Sequence, residues 1–161
     1  MGTNQKAFDK AFMLRCIQLA QQSWDSGDAP FGSLIAKEEK LLIEASNNAK
    51  GRVSDHAEVR ALNMAQELLG HNDLRGYTLY TSCEPCPMCS FMIREYKISR
   101  VVFALHSPYM GGHSKWNILQ DEEISQFQPF FSKAPIVLGG FMEEESQKVM
   151  DGTPFFMFGS K

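Results

Sequence analysis

Leu79-Tyr80-Thr81-Ser82-Cys83-Glu84-Pro85-Cys86-Pro87-Met88-Cys89 is a strand that turns, at a proline, into a helix. Tyr77 to Ser82 is rich in β formers. Pro85 precedes a helix that reads from about Cys86 to Tyr96. Beyond that helix, Arg100 to Leu105 is a further strand, apolar enough to be central. Upstream, Phe8, Phe12, Cys16, Leu19, Ala20 and Trp24 recur at helical spacing, so residues 4 to 25 should form an amphipathic helix that Gly27 stops. Residues 31 to 37 and 40 to 46 read as two short strands around a Glu38-Glu39 turn. Val59, Leu62, Ala65, Gln66 and Leu69 carry a helix that begins near Asp55 and ends at Gly70.

Downstream, residues 106 to 120 contain Pro108, Gly111 and Gly112 and read as a functional loop, with a short helix around Trp116 to Leu119. Pro135 to Gly139 gives a last strand and Glu143 to Met150 a last helix. Strands alternating with helices argue for a layered α/β domain. The 161 residues, 43% hydrophobic and 22% charged, suit one domain over 1–161 with one buried core, and there is no repeat, low-complexity tract or linker.

Bulk properties exclude several classes. No apolar run approaches the roughly 18 to 20 residues that span a bilayer, so no membrane partner is expected. The polar start Met1-Gly2-Thr3-Asn4-Gln5-Lys6 has no signal-peptide core. Of the four cysteines, at 16, 83, 86 and 89, three are too clustered for a disulfide framework. A reducing cytoplasm and a metal site fit better. A net charge of −3 and a pI near 5.8 remove the bulk attraction that a nucleic-acid binder usually has.

The chemistry lies in two short motifs. His56-Ala57-Glu58 falls at one predicted helix start, and Cys86-Pro87-Met88-Cys89 at another. Spacing i, i+3 puts both sulfurs on one helical face. Helix N-termini favour thiolate over thiol. Two thiolates and a neutral imidazole formally neutralise one Zn²⁺ per chain and leave its fourth position open, as catalytic zinc requires. Glu58, two residues from the histidine, is the candidate proton shuttle. Cys83 has the same spacing from Cys86 but ends a strand, so it is read as a packed, buried residue. Cys16 lies on the apolar face of the first helix and is read as core. Glu84 is either catalytic or holds the strand-to-helix turn. His71 is read as solvated, and His106 and His113, which flank the glycine loop, either as polar surface or as substrate contacts.

His-x-Glu followed by Pro-Cys-x-x-Cys is an established pattern of zinc deaminases. At these residues the chain resembles the cytidine deaminase superfamily, over roughly residues 5 to 105. Ala29-Pro30-Phe31-Gly32 is similar to the family's segment before its first strand. Asn48 resembles its substrate-contacting asparagine, Ser54-Asp55-His56-Ala57-Glu58-Val59 its first zinc helix, and Leu79 to Cys89 its second. The resemblance implies a three-layer α/β/α sandwich with a central mixed five-stranded sheet, a zinc held by His56, Cys86 and Cys89, and Glu58 as catalytic acid-base. It also implies assembly, and a homodimer is expected; the apolar surplus of Phe91, Met92 and Ile93 beside the zinc helix reads either as dimer surface or as ordinary core facing the sheet.

Tyr80-Thr81-Ser82-Cys83-Glu84-Pro85-Cys86 is similar to bacterial guanine deaminases. The same core resembles tRNA adenosine deaminases and fungal-type cytosine deaminases. The departures are downstream. Ser107 to Asn117 lacks the Lys-Thr-Gly-Ala-like stretch of tRNA deaminases, and the last helix opens Glu143-Glu144-Glu145 where theirs tends to be basic. The acidic loop of guanine deaminases is also missing. The apolar tail Phe155-Phe156-Met157-Phe158 reads either as packed on the domain or a neighbour, or as an aromatic lid.

The expected activity is hydrolytic deamination of a small nucleobase or nucleoside, guanine-like or cytosine-like. Its substrate contacts are read as Phe31, Asn48, Ala57, Trp116, Phe155 and Phe156. A tRNA-specific adenosine-to-inosine deaminase is the alternative. A non-catalytic zinc-stabilised binding module is the alternative of another class, and it gives Glu58 no purpose.

Overall fold

A computed structural model describes residues 3–155. Helix α1, Thr3–Asp25, leads into strands β1, Gly32–Lys37, and β2, Lys40–Ser46. Helix α2, Ala57–Leu69, is followed by β3, Thr78–Cys83, then α3, Pro87–Glu95, and β4, Arg100–Leu105. A 3-10 turn at Ile124–Gln126 precedes β5, Ile136–Leu138, and α4, Glu143–Asp151. The strand order is β2-β1-β3-β4-β5. β1 runs antiparallel to β2 and β3, while β3, β4 and β5 are parallel, so the five-stranded sheet is mixed.

Alternation along the strands builds two cores. Ile35, Leu79, Val101 and Phe103 point to one face, where they meet Ala61, Leu62 and Ala65 of α2 and Ile93 of α3. Leu34, Ala36, Tyr80, Val102 and Ala104 point to the other, against Met13, Cys16 and Ile17 of α1 and Val149 of α4. Period 2 in the strands and period 3.6 in the helices thus give the expected three-layer α/β/α sandwich. α1 lies directly on the start of β1: a Cβ at Gly32 would stand 2.3 Å from the Cys16 carbonyl oxygen. The second face is also pinned by polar bonds. Asp9, 1% exposed, accepts from Tyr80 Oη at 2.6 Å and from both terminal nitrogens of Arg100 at 2.8 and 2.6 Å.

The helix limits follow local chemistry. Gly70 closes α2 in the left-handed conformation, φ 77°, which glycine adopts without a Cβ penalty. Glu38, in the turn between β1 and β2, has φ 54°. One expectation fails. No helix forms around Trp116 to Leu119; the segment is a set of turns, and the helical turn lies further on, at Ile124–Gln126. The backbone N–H groups of both Ile118 and Leu119 are drawn to the Gly112 carbonyl, which winds the loop around that glycine instead of along a helix axis.

Topology gathers several segments at one end of the sheet. β3 and β4 finish there, β1 starts there because it is antiparallel to β3, and β2 finishes beside it. The loops after the carboxyl ends of strands are where α/β sheets place their ligands.

Candidate metal and acid-base centre

His56 is the N-cap of α2 and Cys86 the N-cap of α3. A cap residue has extended backbone, so its side chain can project past the helix end. His56 makes no capping bond to its own helix. Its Nδ1 instead lies 3.6 Å from Cys86 Sγ and 3.5 Å from Cys89 Sγ. The three ligand atoms all fall within 4.8 Å of one another. A tetrahedral zinc with ordinary Zn–N and Zn–S lengths separates nitrogen from sulfur by about 3.5 Å. The donor set therefore fits that ion in type and in spacing.

The protein around these ligands sets their charge. The hydrogen bond from Cys89 lowers the Cys86 thiol pKa to about 4; His56 and the Cys89 N–H assist, against the cost of burial. That is the behaviour of a cysteine at a helix N-terminus. The Cys86 thiolate in turn raises the His56 pKa. Bonding to Cys86 and burial push Cys89 well up. Cys83 is 2% exposed, packs with Leu105 and Met150, and is pushed up by burial. It stands outside the ligand cluster. Cys16 is fully buried core.

Glu58 lies in the first turn of α2, only 6% exposed. Burial, and then the Cys86 thiolate, raise its pKa. The Thr81 hydroxyl donates to Oε1 at 3.1 Å, and the Cys89 thiol reaches Oε2 at 3.6 Å. Ser33 Oγ donates to Thr81 Oγ1 at 2.8 Å. Neither hydroxyl was singled out by the motifs. Their signal is a break in pattern: each stands on the strand face that otherwise carries Ile35, Leu79, Val101 and Phe103.

Glu84 is 3% exposed and holds the following loop. Its Oε1 accepts from Ser107 N at 3.1 Å and Ser114 Oγ at 2.5 Å; its Oε2 accepts from His113 N at 3.2 Å and Ser114 N at 2.8 Å. Gly111 passes so close that a Cβ there would lie 1.6 Å from Glu84 Oε2. Gly112 N–H bonds the Pro85 carbonyl, which presses the loop onto the turn that carries Cys86. His106, 46% exposed, stands 3.7 Å from Glu84, and His71 is exposed.

The residues read as substrate contacts divide. Phe31 is half-buried against Cys83, Leu105 and Met150, and Phe155 meets it edge-on at 6.1 Å between ring centres. Phe155 also meets Trp24, at 6.2 Å, so this part of the tail packs on its own domain. Asn48 is exposed; its amide donates to Asp55 Oδ2 at 3.3 Å in the loop that leads to His56. Its neighbour Asn47 is buried and bonded to Asp28. The Ala57 side chain is fully buried between the ligand and the acid. Trp116 is 49% exposed, with the Lys115 ammonium 5.8 Å from its ring centre. Phe156 lies outside the described residues. Among those residues, no helix is long and apolar enough to cross a membrane.

Comparison with known proteins agrees with this geometry. Residues 6–105 match the family described as the cytidine and deoxycytidylate deaminase zinc-binding region. The tRNA-specific adenosine deaminase of Bacillus subtilis (strain 168) is 30% identical over 140 residues, 85% of this chain and 83% of that protein. The guanine deaminase of the same organism is 40% identical over 83 residues, 50% of this chain and 53% of that protein. A solved structure from work on A-to-I editing by tRNA:A34 deaminases superposes with a TM-score of 0.71 at 26% identity, covering 87% of this chain and 99% of that one. The match takes in the histidine and two cysteines spaced for zinc and the buried carboxylate beside them, and this chain belongs to the cytidine and deoxycytidylate deaminase family.

Proposed function

We propose that this chain hydrolyses the exocyclic amine of a free nucleobase or nucleoside, guanine-like or cytosine-like, and releases ammonia. His56, Cys86 and Cys89 would hold the zinc. Bound there, zinc lowers the pKa of water to around 7 and so supplies a nucleophile at neutral pH. Glu58 moves the protons. Its Oε2, on the Cys89 side, takes one from the attacking water, passes it to a ring nitrogen, and later assists departure of ammonia. Burial raises the pKa of this carboxyl and so strengthens it as a proton acceptor.

The observation that favours a small substrate is the C-terminal segment. α4 presents Glu143, Glu144 and Glu145 in its first turn, and Gly140, just before it, lies against His106 at the start of the loop that Glu84 anchors. The chain then lays Phe155 against Phe31. Acid and apolar surface together suit a planar heterocycle better than a polyanion. In this reading Phe31, Phe155 and Trp116 supply aromatic wall, Asn48 hydrogen-bonds the ring edge, and Ala57 contributes its backbone.

A second reading, deamination of adenosine in tRNA, is favoured by the relative that spans 85% of this chain. The test is a panel of guanine, cytosine, adenine, their nucleosides and tRNA, with ammonia and inosine measured. Ammonia from a small amine supports the proposal. Inosine in tRNA with no small-molecule turnover replaces it with the second reading.

We further propose that the chain works as a homodimer. α3 exposes Met88 and Phe91, and Phe91 contacts the Phe131 ring at 5.3 Å; Ile93 is fully buried and belongs to the core instead. Light scattering at micromolar concentration should give twice 18.2 kDa. A species of 18.2 kDa alone would end the idea.

A further inference from the structure

Two buried hydroxyls stand on a strand face where hydrocarbon would pack as well. Ser33 and Thr81 are direct cross-strand partners in the antiparallel β1–β3 pair, and each is 0% exposed. Valine has almost the shape of threonine and an equal liking for strands. A buried hydroxyl is costly unless bonded, and here both are bonded in one line. Ser33 Oγ donates to Thr81 Oγ1, and Thr81 Oγ1 donates to Glu58 Oε1. Each hydroxyl has one proton to give. Ser33 gives its proton to Thr81, which leaves Thr81's own for the carboxylate.

We infer that Thr81 is a positioning residue for Glu58 and that Ser33 sets the direction of its hydroxyl. The inference rests on the role proposed for Glu58. Holding Oε1 fixes the last torsion of the side chain, a torsion that is otherwise broad and roughly two-fold. Oε2 is then kept on the side of Cys89 and the ligand cluster. Thr81 touches neither water nor substrate in this role. It narrows the orientations of the acid, and misplacement of a reacting group by about 1 Å can cost about a hundredfold in rate.

The experiment compares zinc-loaded wild type with Thr81→Val, Thr81→Ser, and Ser33→Ala/Thr81→Val, which leaves no orphaned serine hydroxyl. Steady-state kinetics use the best small substrate of the panel, or tRNA if only tRNA is turned over. Thr81→Val and the double variant should lose about 10- to 100-fold in kcat with KM within about twofold, since only orientation of the acid is lost. Thr81→Ser keeps the hydroxyl and should return kcat to within about threefold, although it removes a buried methyl and lowers the melting temperature. A merely structural residue gives the opposite order, with the less stable serine variant the slower. Crystal structures of zinc-loaded wild type and Thr81→Val provide a readout apart from turnover. Oε1 should lie within hydrogen-bond distance of Thr81 in the first and be rotated or disordered in the second. Failure of every substrate would refute the proposed function and leave this crystallographic test standing. Wild-type kcat in Thr81→Val, or an unmoved Glu58 carboxylate, overturns the inference.

Discussion

Replacing Glu84 by glutamine should release the loop that follows β4 and leave the metal in place. The carboxylate receives four donors, two on each oxygen. An amide keeps one oxygen and presents N–H groups at the other position. With its oxygen toward Oε2, glutamine still serves the His113 and Ser114 amides. At the former Oε1, the Ser114 hydroxyl can turn and accept, but the Ser107 N–H is orphaned. A buried orphan donor costs about 1–3 kcal/mol. The two retained bonds also lose their charge assistance, which makes them roughly half as strong. The total is about 2–4 kcal/mol, combining an orphan at about 1–3 kcal/mol with two weakened bonds. At about 2–4 °C per kcal/mol for a chain of this length, the melting temperature should fall by about 4–16 °C. Calorimetry measures the fall. Hydrogen exchange should speed at the amides of Ser107, His113 and Ser114, with zinc content unchanged. If Glu84 were a catalytic acid, Glu84→Gln would lose turnover with stability and exchange untouched, and that result would refute the reasoning.

Three further outcomes follow from the same geometry. Cys86→Ser should lose zinc while Cys83→Ser keeps it, measured by elemental analysis after dialysis, because only Cys86 belongs to the ligand cluster; the reverse pattern would move the site. Glu58→Ala should keep zinc and fold but retain under about a hundredth of kcat, given the usual size of acid-base contributions, and retention of a tenth or more contradicts its role. Asp9→Asn should cost about 3–5 kcal/mol at pH 7, the usual penalty for breaking a buried ion pair. Burial raises the Asp9 pKa, but the bonds from Arg100, Tyr80 and Gln5 outweigh it and leave the folded value below the ordinary one. Its contribution is therefore fully present above the unfolded value of about 3.9 and is lost as pH falls through the folded one. Urea midpoints from pH 7 to 2.5 should show the gap between wild type and Asp9→Asn narrow below about pH 4; a constant gap would mean that the charge is not what stabilises.

What could be read from the chain is what short-range physics controls. β4 was legible because Val101 to Leu105 is an unbroken apolar run with a helix before it. α2 was legible from its apolar spacing and from Gly70, the residue that its left-handed end requires. His56, Cys86 and Cys89 were legible because ligand chemistry is scarce and its spacing narrow. The segment from 106 to 120 was not. Its course is dictated by the Glu84 carboxylate, more than twenty residues away, and by the space left at Gly111. Neither periodicity nor propensity carries that information, and a short helix was expected where turns wind around Gly112. Ser33 and Thr81 were missed for a related reason. Ser33 belongs to no motif, and Thr81 lies in the strand before Cys83 without a ligand's or an acid's chemistry; only the β1–β3 register joins the two beside Glu58.

The same division runs through the chemistry. The acid, the ligands and their helix starts belong to local sequence, and the family match over residues 6–105 covers all of them. The segments argued to choose the substrate lie mostly beyond that match: the Glu84-anchored loop, the acidic first turn of α4, and Phe155 folded back on Phe31. They are joined to the centre through a few polar bonds and ring contacts and supply none of the metal ligands. Zinc retention and substrate choice should therefore separate. A transplant of residues 106–120 from a relative with another substrate should shift the ratio of kcat/KM values between bases while the metal stays bound, provided that Glu84, the Gly111 it packs against and the Gly112 that packs on Ser90 and the Cys86 carbonyl are kept.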